Sequence, residues 1–202
     1  GVTMVAAAGN GPRYGFNAGI GTYGGVDYPA AFAPVIAVGS VDGDGTRSVF
    51  SDYGPNLDLV APGGYRDPND TAGTLVISTL TSNRYGDSWP GSNGAGTSMA
   101  APLVAGVIAQ MYSVNPWLTP EEVRRILAGT ATDLGPRGWD PEYGHGLLSA
   151  QGAVRGALSA PQPSIIPSFS SMLAVRTNDL GSRASDRLKE LVDSVQQQTT
   201  PG

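Results

Sequence analysis

Gly96-Thr97-Ser98-Met99-Ala100-Ala101-Pro102 is the stretch on which the reading of this chain turns. A glycine-rich loop, Gly91 to Gly96, runs into it, and Leu103 to Tyr112 follows without a charged residue. After Asp87 the next charge in the chain is Glu121. A helix that is apolar all round belongs in the core of a large domain. Ser98 falls at the start of that helix, where backbone N–H groups lacking helical partners face incoming negative charge. Two readings of Ser98 follow. It is an N-cap that closes the helix, or it is a nucleophile aimed into a cleft by a buried helix.

Composition narrows the setting. A chain of 202 residues is long enough for one domain with a sizeable core. Charged residues are 14% of the chain, with 29 glycines and 16 prolines, which describes a tightly turned globular protein and not a disordered one. The net charge of −5, with no basic cluster, argues against nucleic acid as a partner. With no cysteine there is no disulfide framework and no cysteine-based metal site. No basic leader precedes the first apolar run, so no signal peptide is read. The longest apolar stretch is broken by Pro102, Gly106 and Gln110, and no membrane span is expected.

Outward from the heptad, the chain alternates apolar runs with turn signals. Val2–Ala8 reads as a buried parallel strand stopped by Gly9-Asn10-Gly11-Pro12. Asn10 is a turn residue on its own terms, since Asn-Gly is a strong turn signal. Arg13 to Gly25 is a glycine- and aromatic-rich loop. Val35–Val41, Leu57–Val60 and Leu75–Leu80 read as further strands, the last of them buried. Asp42-Gly43-Asp44-Gly45 is a turn that invites a calcium reading but lacks the later ligands of an EF-hand loop. The polar stretch Tyr65 to Gly73 is a surface insertion with clustered oxygen ligands, again without an assignable metal.

Asn115-Pro116 ends the serine helix. Thr119-Pro120-Glu121-Glu122 opens another, with Thr119 as N-cap and Val123, Ile126 and Leu127 as its core face. A last short helix covers 150–157. The organisation is then 1–158 as the main body, 159–178 as a Pro/Ser-rich linker, and 179–202 as an amphipathic helix and tail.

The heptad resembles the nucleophile motif of the subtilisin-like serine proteases (subtilases), Gly-Thr-Ser-Met-Ala-x-Pro. Val5-Ala6-Ala7-Ala8-Gly9-Asn10 is similar to the strand end that carries that family's oxyanion asparagine. Val49–Gly54, Leu57–Gly63 and Asp133–Gly146 resemble further family stretches, so the resemblance runs from Val2 to about Gly156.

It implies an α/β, three-layer fold with a mostly parallel sheet, incomplete at its N-terminal side. It implies a serine-type endopeptidase in which Ser98 attacks the peptide carbonyl and Asn10, with the Ser98 backbone N–H, holds the oxyanion. Ala8, Gly9, Asp27 and Thr97 are implied as substrate-binding, and Tyr28–Pro29 as a cis bond. Asp27 reads either as a solvated loop carboxylate or as a pocket group favouring a basic side chain at the cleaved residue. No cofactor or metal is required for the chemistry, and structural calcium is left open without an assigned site. The expected partner is a protein or peptide substrate, and the expected location is extracellular or cell-envelope.

One departure matters. In this family the order is Asp, then His, then Ser, and both partners precede the asparagine. Here the sequence opens about ten residues before Asn10, so neither is present. His145, the only histidine, lies in the Tyr-Gly-His-Gly turn and is not assigned as the base. Leu103 stands where many relatives carry a histidine outside the triad. The chain reads as the C-terminal portion of a subtilase domain: a truncated sequence, a processed subunit working with an N-terminal half, or a non-catalytic relative. By itself it is expected to be inactive. The sedolisins share the fold and a Gly-Thr-Ser motif, but their oxyanion group is an aspartate, and Asn10 argues against them.

Overall fold

Residues 1–11, 24–64, 76–80, 84–86, 88–89 and 92–161 are described by a computed structural model. Gly1–Pro161 forms one compact unit. The expected C-terminal helix at 179–202, the linker beyond Pro161, the Tyr65–Gly73 insertion and most of the Arg13–Gly25 loop lie outside the described residues.

Three parallel strands form the frame: β1 (Met4–Ala7), β2 (Val35–Val41) and β3 (Leu59–Pro62), in the order β1-β2-β3. Met4 to Ala7 face Val35 to Val38, and Val38 to Val41 face Leu59 to Pro62. All seven residues of β2 are buried, as its unbroken Val/Ile/Ala run requires of a strand covered on both faces. Alternate side chains then feed two cores. Ile36, Val38, Leu59 and Ala61 pack toward the helices. Val41 and Val60, with Ala8 and Leu57, pack against Val26, Tyr53, Leu134, Tyr143 and Leu147. The sheet is thus the middle of three layers, and among the described residues its second face is covered by loop segments rather than by a helix.

The strand bounds shift from expectation at three places. The third strand starts at Leu59; just ahead of it Asp58 donates its N–H to the Ala37 carbonyl of β2 (3.1 Å) while its carboxylate takes the Ala37 N–H and an arginine. The first strand is parallel but not buried: it is the sheet edge, and Val2 beside it is 81% exposed. Of the expected buried strand Leu75–Leu80, residues 76–80 are described, and among these only Ser78–Leu80 (β4) is a strand, paired antiparallel with Arg84–Gly86 (β5); Ile77 ahead of it is 71% exposed. A two-residue hairpin, Ser88–Trp89 (β6) with Ser92–Asn93 (β7), follows.

The helix α1 (Thr97–Val114) crosses the sheet and buries Ala100, Val104, Val107, Ile108 and Met111. Its other side does not match the all-round burial expected of it. Leu103, Pro102, Ala105, Gly106, Ala109 and Gln110 lie on that less covered side, and Leu103 is 39% exposed. Its 18 residues are long and apolar enough to cross a membrane by length and composition. The packing of one face on all three strands gives the same composition a role in the core.

Helices α2 (Pro120–Thr130) and α3 (Ala150–Ser159) complete the helical layer. The core face of α2 is Val123, Ile126 and Leu127, all buried as the periodicity requires. Its start is a full capping box. The Thr119 hydroxyl accepts from the Glu122 N–H (3.2 Å), and Glu122 Oε2 accepts from the Thr119 N–H (2.8 Å). That backbone bond, reinforced by the Thr119 hydroxyl, holds the Glu122 carboxyl below its ordinary value of 4.5. A carboxyl with a lowered folded pKa stabilises above its unfolded value and stops doing so as pH falls through the folded one. Glu122→Ala is therefore expected to lower the urea midpoint at pH 7, and the deficit should close once pH drops below 4.5. A deficit independent of pH would show that the carboxylate charge plays no part.

Arg124 staples α2 to the start of β2. Its Nε donates to Asp58 Oδ1 (2.7 Å) and its Nη2 to Asp58 Oδ2 (2.8 Å) and to the Val35 carbonyl (2.6 Å), while Nη1 donates to the Ala33 carbonyl. Asp58 Oδ2 also accepts from the Ala37 N–H (2.8 Å). The pair is partly exposed, so the loss falls short of that for a fully buried ion pair. Arg124→Met is expected to destabilise by about 2–3 kcal/mol, since it leaves a carboxylate and two carbonyls without this donor. Urea denaturation measures this, and a loss under about 0.5 kcal/mol would match an ordinary surface pair instead.

Candidate active site

Where β1 ends the chain turns through Gly9, and where β3 ends it turns through Gly63 and Gly64. Both turns meet the start of α1. The Gly96 N–H donates to the Gly63 carbonyl (2.7 Å), which delivers Gly96 and the helix behind it to the C-terminal end of the sheet. Gly96 is the N-cap, at φ 149°, and no side chain caps the helix. Ser98 is therefore not an N-cap. It lies in the first turn, at the end of the helix where the macrodipole favours negative charge.

Asn10 reaches across from the other turn. Its Oδ1 accepts from the Thr97 N–H (2.9 Å) and from the Thr97 hydroxyl (3.0 Å). With the oxygen pinned by two donors, the Nδ2 amide is the end left to face outward. Nδ2 and the Ser98 N–H lie 3.5 and 3.7 Å from the point a Gly96 Cβ would occupy. Two donors, with Asn10 Oδ1 also 3.7 Å away, thus border one small space, and it is the φ of 149°, which L side chains rarely adopt, that favours glycine at 96. A negatively charged oxygen bound there would meet an amide N–H, a backbone N–H and the helix N-terminus together.

The expected substrate residues lie at different depths. Gly9 adjoins Asn10, and its N–H donates to Thr97 Oγ1 (3.3 Å), while Asp27 packs against Gly9. A Cβ at Gly9 would lie 3.1 Å from Asp27 Oδ2 and 2.3 Å from Asp52 Oδ2, at φ 119°, so the glycine lets two carboxylates approach its Cα. The Asp27 N–H donates to the Ala8 carbonyl (2.7 Å), fixing the segment that carries the Tyr28–Pro29 bond, which is cis as expected. The exposed Tyr28 ring packs against Phe32 at 4.6 Å.

Ala8 and Thr97 are both fully buried (0% exposed). Ala8 belongs to the sheet's second core, and Thr97 acts inward by orienting Asn10. Sequence reading missed that role because the contact joins residues 87 apart.

His145 is exposed, and its N–H donates to the Asp58 carbonyl (2.8 Å), at the start of β3. Gly63, which holds Gly96, lies at the other end of that strand. Five residues at ~3.3 Å each put the two about 16 Å apart. His145 is not beside Ser98.

The Asp42–Asp44 turn closes on itself. Asp42 Oδ1 accepts from the Asp44 N–H (3.3 Å) and Asp44 Oδ1 from the Thr46 N–H (2.7 Å). Asp44 is lowered to about 2 by hydrogen bonds from Asp42 and Thr46, while burial and the Asp44 hydrogen bond raise Asp42. Among the described residues no group of three or more His, Asp or Glu side chains is placed to hold a metal ion.

A parallel sheet that presents a serine at a helix N-terminus, beside an asparagine amide, is the framework of an α/β protein of the serine-hydrolase type. The chain belongs to the subtilase family, whose model matches residues 1–146. It is 39% identical over 155 residues to Subtilisin DY of Bacillus licheniformis, covering 77% of this chain and 47% of that protein. It is 40% identical over 154 residues to the halolysin-like extracellular serine protease Nep of Natrialba magadii, covering 76% of this chain and 23% of that one. Among solved structures it is similar to a protease from Pseudoalteromonas arctica, with a TM-score of 0.60 and 32% identity, covering 78% of this chain and 43% of that one. A lanthipeptide protease gives a TM-score of 0.61 at 26% identity, covering 76% of this chain and 50% of that one. The chain thus spans about half the length, or less, of the proteins it resembles.

Proposed function

We propose that this chain carries the nucleophile and the oxyanion hole of a secreted serine endopeptidase, and that the base comes from outside these 202 residues. The observation that carries the reading is the meeting of Asn10 Nδ2 and the Ser98 N–H beside Gly96. In the reaction Ser98 Oγ bonds to the peptide carbonyl carbon and gives its proton to a base. The carbonyl oxygen takes up the negative charge between the two donors. The intermediate collapses to an acyl-enzyme as the amine leaves with a proton, and water repeats the sequence to release the acid.

The base has to be a group that reaches Ser98, and the sole histidine is at the far end of β3. The edge of β1, which no other described strand pairs with, and the uncharged outer side of α1 support a companion segment that extends the sheet and covers that helix. A protein or peptide is the substrate. The second reading, a subunit with no catalytic part, rests on the same position of His145.

The test is covalent labelling with a fluorophosphonate, read as mass added, with Ser98→Ala as control. The chain alone should stay unlabelled. Mixed with the N-terminal half of Subtilisin DY, it should label at Ser98. Labelling of the chain alone would remove the need for a companion, and no labelling in a folded mixture would favour the non-catalytic subunit.

Asp27 beside Gly9 supports a preference for lysine or arginine at the residue whose carbonyl is cleaved. Asp27→Asn in the complemented enzyme is expected to lower the kcat/KM ratio of arginyl to phenylalanyl peptide substrates about tenfold, or ~1.4 kcal/mol. An unchanged ratio would leave Asp27 as a structural carboxylate.

A further inference from the structure

β2 is apolar except for Ser40, and Ser40 is completely buried together with Ser48 and Ser51. Nothing in the proposed chemistry uses these three hydroxyls. Their hydrogens can be followed. Ser48 Oγ donates to the Gly64 carbonyl (3.0 Å), which uses its single proton. The 2.7 Å contact between Ser40 Oγ and Ser48 Oγ must then run from Ser40 to Ser48. Ser51 Oγ accepts from the Ser40 N–H (2.9 Å) and donates to the Asp52 carbonyl (3.3 Å).

Each end of this chain of bonds leads to one half of the oxyanion space. On one side Ser48 holds Gly64. Next to it Gly63 packs so closely that a Cβ there would fall 2.1 Å from Ser40 Oγ, and the Gly63 carbonyl accepts from Gly96, two residues before Ser98. On the other side Asp52 donates its N–H to the Gly9 carbonyl (3.0 Å) and accepts at Oδ2 from the Gly11 N–H (3.1 Å). Asn10 sits between those two glycines. At the surface the two turns that bear the donors are joined through Asn10 and Thr97. Beneath the surface they are joined through the serines.

We propose that Ser40, Ser48 and Ser51 are positioning residues that tie the Asn10 turn and the Ser98 turn to one strut on β2 and so set the spacing of the two oxyanion donors. The catalytic meaning of that spacing rests on the function proposed above. The strut itself does not.

The experiment therefore has two readouts. In this chain, amide hydrogen exchange by NMR is compared between wild type, Ser48→Ala, Ser51→Ala and Ser40→Ala. Ser48→Ala should raise exchange about tenfold at Gly63 and Gly96, and Ser51→Ala should do so at Gly11, both leaving the α2 amides unchanged. Ser40→Ala, which keeps the Ser48 bond to Gly64, should act at Gly63 and Gly96 but less, and its double variant with Ser48→Ala should match Ser48→Ala because the two hydroxyls serve one bond path. Should Ser48→Ala not fold, Ser40→Ala alone decides by the same comparison. Exchange that rises uniformly, or not at all, would overturn the strut.

In the complemented enzyme the same variants should lower kcat with KM unchanged, as expected for donors displaced from the transition state. Raised local exchange with normal kcat would overturn the catalytic role and keep the tie. A complemented wild type that does not hydrolyse peptide counts against the proposed function, while the exchange result still judges the strut.

Discussion

Asn10→Leu is expected to lower kcat of the complemented enzyme about 10²–10³-fold with little change in KM. That magnitude is the one known for the corresponding asparagine of subtilisin, a member of this family, and it is borrowed from there. What the structure adds is the reason for the split between kcat and KM. In the proposed function the Asn10 Nδ2 bond forms with an oxygen that only the tetrahedral intermediate places beside the Ser98 N–H. Leucine has a similar volume and keeps the turn filled, yet it leaves the Thr97 N–H without this acceptor and the Thr97 hydroxyl with only the Gly9 carbonyl (3.3 Å). Thr97→Val, which removes one of those two donors, should therefore show a smaller loss of the same kind. A rise in KM as large as the fall in kcat would place Asn10 in ground-state binding instead.

Gly63→Ala should have the largest effect on stability, about 3 kcal/mol or more by urea denaturation. The new methyl would stand 2.1 Å from Ser40 Oγ, 2.8 Å from Ser40 Cβ and 2.7 Å from the Gly96 carbonyl. None of these is the end of a long side chain that could swing away. Relief requires moving β2 or the start of α1, and either breaks the Gly96 to Gly63 hydrogen bond. Gly106→Ala is the control. A Cβ there meets nothing within 4 Å, and in a helix interior alanine is favoured over glycine by roughly 0.5–1 kcal/mol. A Gly63 variant as stable as wild type would mean that the turn can relax, and the strut beneath it with it.

The parts of this molecule that could be read from the sequence are those that local chemistry decides. β2 follows from its unbroken apolar run, and the start of α2 from Thr119, Pro120 and Glu122. Asn10 and Ser98 were found because each sits in a fixed local pattern, and the structure brings them together. Readings failed where the answer lay in a distant partner. Leu75–Leu80 has the composition of a buried strand, but its last three residues pair with their own loop and stay near the surface. α1 has no charge anywhere, yet the described chain covers only one of its sides. Thr97 holds Asn10 through a contact 87 residues apart in sequence, which no local pattern shows. Ser40, Ser48 and Ser51 carried one faint signal, a small polar residue inside an otherwise apolar strand. What that signal meant depended on Gly63 and Gly64, which the chain reaches only after another strand.

The open side of β1 also has a kinetic meaning. Strand edges join in pairs, so loss of monomer by edge-to-edge association rises with the square of concentration, whereas capture by a companion rises with the product of the two. Doubling this chain alone would quadruple the rate of self-association. Doubling the companion instead would double the rate of productive capture and leave self-association where it was. For the complemented enzyme proposed above, the yield is then set by which species is supplied in excess, and the order of addition becomes as consequential as temperature or pH.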